Sequence, residues 1–160
     1  MDFEHFYERT RPSLGRALAL ALGDVDLAAD AVDEAYTRAY ERWSTVGTID
    51  RPEAWVYRVA MNWSLSVLRR RRRGHHRFFD PSAQHADAPT ATDPTIDEAL
   101  AALDEKQRAV IVCRHLLGWS VAETATALGL REGTVKSRLH RAHFILQSHL
   151  AHLRTPEELS

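Results

Sequence analysis

The chain has 160 residues, of which 44% are apolar and 27% charged, so it has room for one ordinary domain or two small ones with folded cores rather than wholesale disorder. Small domains are marginal alone, so each module is expected to depend on a partner surface. The formal net charge of -1 argues, as a mean, against a polyanionic partner, and the single cysteine, Cys113, excludes an internal disulfide and a cysteine-based zinc site.

The mean hides a segregation. From Ala54 to Phe79 there is no acidic residue, and the stretch holds Arg58, the run Arg69 to Arg73, and Arg77. A second acid-free stretch, Gly133 to Pro156, carries Lys136, Arg138, Arg141 and Arg154. Acids gather early, at Asp24, Asp26, Asp30, Asp33, Glu34 and Glu41. Two basic surfaces and one acidic one suit two nucleic-acid contacts and one protein contact. The opening Met1-Asp2-Phe3-Glu4 lacks a basic region followed by an apolar run, and no apolar run approaches membrane-spanning length. The expectation is a cytoplasmic protein without membrane insertion.

In chain order, Phe3, Phe6, Tyr7, Leu14, Leu18 and Leu22 predict a first helix, which Pro12 is expected to break or kink and Gly23 to close. A second helix from about Asp24 to Trp43 carries an apolar stripe (Ala28, Val32, Ala35, Tyr36, Ala39, Tyr40, Trp43) and an acidic outer face. Residues 44–50, with Gly47 and small polar side chains, read as a loop. Pro52 suits the first turn of a third helix bearing Trp55, Val59, Trp63 and Val67 and ending in the arginine run. The segment 76–94 loses periodicity, contains Pro81, Pro89 and Pro94 with Asp80, Asp87 and Asp93, and reads as a flexible acidic linker.

Beyond it, Ile96, Ala99, Leu100 and Leu103 predict a short helix, and Gln107 to Leu117 another closed by Gly118. Ser120-Val121-Ala122-Glu123 fits a capping box: the serine oxygen accepts a first-turn N–H and the glutamate reaches back to the cap N–H. Ala125, Gly129 and Val135 then supply the small residue, turn glycine and β-branched core residue of a helix-turn-helix. The helix after the turn exposes Lys136, Ser137, Arg138, His140 and Arg141, side chains able to reach phosphates and base edges in a major groove. The fold class is therefore all-α: two small helical domains, 1–75 and 95–154, joined by the linker 76–94.

Two blocks carry a family resemblance. The stretch Gly118 to Ala125 with Glu132 to Ala142, preceded by Leu103 to Val110, resembles region 4 of bacterial sigma factors of the extracytoplasmic-function group. Asp30 to Tyr40 resembles region 2.2, and Pro52 to Asn62 regions 2.3 to 2.4, of the same group. Motifs from both regions in the right order cover nearly the whole chain except the linker. The resemblance implies an RNA polymerase specificity subunit whose first domain binds the β′ clamp helices and the promoter −10 element, and whose second binds the −35 element and the β flap. It places Thr134, Lys136, Ser137, Arg138, His140 and Arg141 on −35 DNA, and Trp55, Arg58, Asn62, Ser66, Arg69, Arg70 and Arg71 on −10 and upstream DNA. It further implies polymerase contacts at Asp30, Asp33, Glu34 and Arg38, a polar loop at 44–50 that holds a flipped base, and a linker competing with RNA for a basic channel. An anti-sigma factor is the other implied partner.

Other signals stay open. Trp55 and Trp63 suit either base stacking or core packing, and the arginine run either a solvated helix end or phosphate contacts. His140, His143, His149 and His152 fall at i, i+3 spacing without an accompanying acid or cysteine cluster, so no metal and no cofactor are expected. Cys113 reads as a small core residue, and no spacing marks a nucleophile with its base, so no enzyme is expected. The competing reading is a stand-alone helix-turn-helix regulator with an N-terminal protein-interaction domain.

Overall fold

The computed structural model describes residues 1–75 and 94–153, and every element among them is helical. The segment read as the linker lies outside the described residues except for Pro94, and Asp80, Asp87 and Asp93 fall there too.

The first module is a bundle of α1 (Phe3–Leu22), α2 (Val25–Glu41) and α4 (Pro52–His75), with a single helical turn, α3 (Trp43–Val46), between the last two. Two aspartates start the first pair of helices. Asp2 accepts from the N–H of His5 and Asp24 from that of Leu27, both at 2.9 Å. Gly23, at φ 66, ends α1 in the left-handed conformation that a side chain resists. Helical spacing then brings Phe6, Leu14 and Leu18 of α1 against Ala28, Val32, Ala35 and Tyr36 of α2, all buried. A buried polar pair joins the two helices: Thr10 and Tyr36 share a hydrogen bond of 2.7 Å. Burial pushes the Tyr36 phenol up to about 12.

Three expectations need correction. Pro12 lies inside α1, which runs on through it. Pro12 and Glu8, whose carbonyl loses a donor, both face solvent, while the buried residues on the other side hold the helix together. Residues 44–46 of the loop 44–50 are helical, because buried Val46 anchors them and Gly47 N–H donates to Trp43 O at 2.8 Å. A Cβ on Gly47 would sit 2.9 Å from that carbonyl, so the close approach requires glycine. Tyr40, assigned to the apolar stripe, is 67% exposed and meets Phe3 edge-on.

The second module comprises α5 (Pro94–Ala101), α6 (Glu105–Ile111), a π-helical turn (Val112–Leu116), α7 (Val121–Leu128) and α8 (Glu132–Leu153). Its core holds Leu100, Leu103, Val110, Ile111, Ala125, Val135, Leu139 and Ala142. The helix expected to run from Gln107 to Leu117 is α-helical only to Ile111. It then widens, with Leu117 N–H donating to Val112 O at 3.1 Å.

That widened turn delivers the contact joining the modules. Gly118 at φ 69 turns the chain, and Trp119 enters the core of the first module with 4% of its surface exposed. Its ring meets fully buried Tyr57 of α4 edge-on, with centroids 5.4 Å apart at 85°. Val112, Cys113 and Ala127 join the same cluster. Burial raises the Cys113 thiol to about 12 and drives the Tyr57 hydroxyl well above its ordinary value. Cys113 is thus a protonated core residue, poorly suited to thiolate chemistry. Polar contacts rim the seam: Arg51 is 6.0 Å from the Trp119 ring centroid and pairs with Glu123, Arg114 donates to Trp119 O, and Arg108 donates to Ala21 O at 3.3 Å.

If Trp119 fills a core shared by both modules, Trp119→Ala lowers the unfolding free energy in urea by about 3–5 kcal/mol, the range for deleting a buried large aromatic. A loss under about 0.5 kcal/mol, as for an exposed site, would contradict this packing.

Candidate nucleic-acid interface

The helix-turn-helix is built by local chemistry. Both halves of the capping box form: Ser120 N–H donates to Glu123 Oε2 at 2.7 Å, and Glu123 N–H to Ser120 Oγ at 3.1 Å. The backbone N–H of Ser120, with the Arg51 charge, holds the Glu123 carboxyl below its ordinary range. Gly129 at φ 66 ends α7, and Leu130 N–H bonds to Ala125 O at 2.9 Å. Val135, fully buried, and Ala125 fill the angle between α7 and α8.

With that side of α8 committed to the core, the opposite side is free. Lys136, Ser137, His140 and Arg141 are exposed, while Thr134 and Arg138 are half-buried at its edges. Among the described residues Lys136, Arg138 and Arg141 form no ion pair, and the Ser137 hydroxyl donates to Gly133 O at 2.8 Å, leaving its lone pairs available. Phe144, 68% exposed, continues the outward stripe and was missed; its spacing from Ser137 and Arg141 was the available signal. Beside this stripe His143 meets His115 of the π-turn, and burial, then the His143 and Arg114 charges, lower the His115 imidazole's affinity for a proton.

On α4 the buried side carries Val56, Tyr57, Ala60, Met61 and Ser64. Trp55, Arg58, Asn62, Ser66 and Arg69 follow one another at three- and four-residue steps along the outward side, and Arg58, Asn62 and Arg69 are exposed. The structure divides this stripe. Its first part, Trp55 and Arg58, lines a crevice of about 380 Å³ against Ala122, Glu123 and Thr126 of α7. The Arg58 guanidinium reaches the helix-turn-helix itself, 3.4 Å from where a Cβ on Gly129 would stand. The second part opens outward: Trp63, Ser66, Arg69, Arg70 and Arg73, with Arg38 of α2, surround a polar depression of about 560 Å³. Trp55 and Trp63 are both half-buried against the core, so each is part core and part surface.

The arginine run is therefore two surfaces. Arg69, Arg70 and Arg73 face the depression and have no acidic partner among the described residues. Arg71 turns to Asp24 at 3.6 Å and Arg72 to Glu105 of α6 at 3.7 Å, so Arg71 does not share the depression with Arg69 and Arg70.

On α2, Asp30 is exposed and unpaired among the described residues. Asp33 accepts from Arg11 at 2.6 Å, which raises the Arg11 pKa, and Glu34 accepts from Arg38 at 2.7 Å. No helix among the described residues is long and apolar enough to cross a membrane.

Comparison with known proteins matches this architecture on both modules. The family model for sigma-70 region 2 matches residues 6–74, and that for sigma-70 region 4 residues 95–142. The chain is 35% identical over 147 residues to the ECF RNA polymerase sigma factor SigL of Mycobacterium tuberculosis, covering 85% of this chain and 81% of that protein. It is 33% identical over 150 residues to the RNA polymerase sigma-E factor of Streptomyces coelicolor, covering 89% and 82%. Among solved structures, the sigma factor RpoE of Bartonella quintana, in complex with the anti-sigma factor NepR, superposes with a TM-score of 0.78 at 26% identity, covering 94% of this chain and 97% of that one. CnrH, in complex with the cytosolic domain of CnrY, shares the fold with a TM-score of 0.63 at 24% identity, over 96% and 89%. Region 2 and region 4 in one short chain, with relatives of this identity and coverage, make the chain a member of the sigma-70 family, within its extracytoplasmic-function group.

Proposed function

We propose that the chain binds core RNA polymerase and directs promoter-specific initiation, reading the −35 duplex with α8 and the −10 region with α4. The observation that carries this reading is the pair of outward basic stripes on α4 and α8, one in each module. A stand-alone regulator needs only the second; a factor that reads two separated promoter elements needs both. The relatives' names supply the polymerase, and the exposed acidic face of α2, with Asp30, Asp33, Glu34 and nearby Arg38, supplies a surface for it. The proposed division is 1–75 for polymerase and −10 binding, 76–94 for the linker and 95–154 for −35 binding.

On α8, Lys136, Ser137, His140 and Arg141 reach base edges, with Thr134 and Arg138 on phosphates. On α4, Asn62 and Ser66 lie over the −10 strand, and Arg69 and Arg70 track upstream phosphates. Arg71, beside Asp24, contributes less. Trp55 and Arg58 belong to the −10 surface by position, but α7 stands over them. Promoter binding by the first module thus requires the modules to part, and polymerase, by engaging both, supplies the energy. The superposition on a sigma factor bound by NepR supports a second role for the closed form: an anti-sigma factor stabilises it.

Reconstitution with core polymerase on genomic templates tests the function. Run-off transcription from a matched promoter rises with this chain; no stimulation from any promoter would overturn the reading. Lys136→Ala or Arg141→Ala weakens recognition of the −35 element by about 1–3 kcal/mol where the side chain reads a base. Unchanged promoter preference in both variants would remove α8 from the assignment. The two faces of the arginine run separate in a salt titration of promoter binding by the holoenzyme. Arg70→Ala reduces the slope of log K against log salt by about 0.9, one phosphate contact, and Arg71→Ala, whose guanidinium stays beside Asp24 of the same module, changes it less. Equal effects would refute the division.

A further inference from the structure

Outside the promoter-reading surfaces, two imidazoles converge. His115 lies in the π-turn between α6 and α7, and His143 lies in the middle of α8. Their Nε2 atoms are 2.9 Å apart, their rings are inclined at 62°, and both residues are exposed. A continuous α-helix would aim residue 115 elsewhere; the extra residue of the π-turn re-aims it, and such turns recur at functional sites. In the ion-free pair one Nε2 carries a proton and the other a lone pair directed at it. Moving the remaining proton to Nδ1 gives two lone pairs facing one gap, without net loss of a proton.

We propose that His115 and His143 form a two-histidine site for a late first-row divalent ion, Cu2+ or Ni2+, which clips α8 to the turn ahead of the helix-turn-helix. Imidazole nitrogen suits these ions, and among the described residues no carboxylate pairs with either ring to favour Mg2+ or Ca2+. The two rings are close enough to occupy adjacent positions on one ion after small side-chain rotations. Cu2+ and Ni2+ stand at the strong end of the first-row affinity order for nitrogen ligands and accept tetragonal or octahedral coordination completed by water. Among the described residues no group of three or more His, Cys, Asp or Glu converges, so water fills the other positions, which solvent exposure permits.

The ion would join two segments 28 residues apart, bracing α8 against the turn that also carries Trp119 toward the first module. It depends only on the two rings, so its failure and that of the promoter reading are distinguishable.

Titrating the full chain with CuCl2 and with NiCl2, read by calorimetry and by the Cu2+ electron paramagnetic resonance spectrum, tests the site. The wild-type chain binds one equivalent with two equatorial nitrogens and melts at a higher temperature with the ion than without. His115→Ala and His143→Ala each weaken binding by roughly 100-fold, because a lone imidazole loses the chelate advantage, and each removes the rise in melting temperature. His143→Gln, which keeps a polar side chain on α8, behaves as His143→Ala, whereas His5→Ala in the first module retains the site. No binding by the wild-type chain, or binding that persists in both alanine variants, as an adventitious ion on other histidines would, overturns the proposal.

Discussion

The edge-on contact of Trp119 with Tyr57 decides what the free protein can do. Each module alone is a handful of helices, a size at which one apolar core leaves little net stability. Trp119, Cys113 and Val112 extend the first module's core with residues of the second, making one larger buried cluster out of two marginal ones. The same contact sets α7 over Trp55 and Arg58. A seam that steadies the free chain therefore covers part of the surface proposed for promoter binding.

Electrostatics sharpen that opposition. A net charge near zero arises from segregated surfaces rather than even mixing. Among the described residues the outward face of α8 keeps Lys136 and Arg141 without an ion pair, and the far end of α4 does the same for Arg69, Arg70 and Arg73, so two cationic fields remain in the closed form. The seam is instead tied by opposite charges, Arg51 to Glu123 and Arg72 to Glu105. These rim pairs are partly exposed and weak singly; their role is to fix how the modules register against one another. Separating the modules releases Arg72 from Glu105 while Arg51 keeps Glu53 of its own module, so opening adds a cation beside the surface proposed to meet DNA.

What was legible in the sequence was what depends on neighbours along the chain. The capping box at Ser120 and Glu123, the left-handed turns at Gly23 and Gly129, and the stripe Lys136 to Arg141 follow from spacings of a few residues, and each is present as expected. The π-turn at 112–116 was not legible. Widening a helix by one residue costs little locally and is settled by where Trp119 and Cys113 must pack, which sequence periodicity does not carry. Trp119 itself was read within a helix-turn-helix motif, and its burial against another module depends on a surface some sixty residues away. Pro12 misled because a local helix-breaking rule counts the lost hydrogen bond and the ring clash but not the buried residues on the opposite side of α1, which hold the helix across it. The split of the arginine run was available: a helix continued to His75 at 3.6 residues per turn puts Trp63, Ser66, Arg70 and Arg73 on one face and Arg72 on another.

Two outward basic surfaces, one in each module, sit closed on a shared core in the free chain, and under the proposed function polymerase parts them. Spin labels at Glu8→Cys on α1 and Gln147→Cys on α8 report this parting, since both positions are exposed and buried Cys113 resists labelling. Double electron–electron resonance on the free chain should give one narrow distance distribution, and adding core polymerase should move it to a longer mean. A broad distribution in the free chain, or one that polymerase leaves unchanged, would contradict a closed form that polymerase opens.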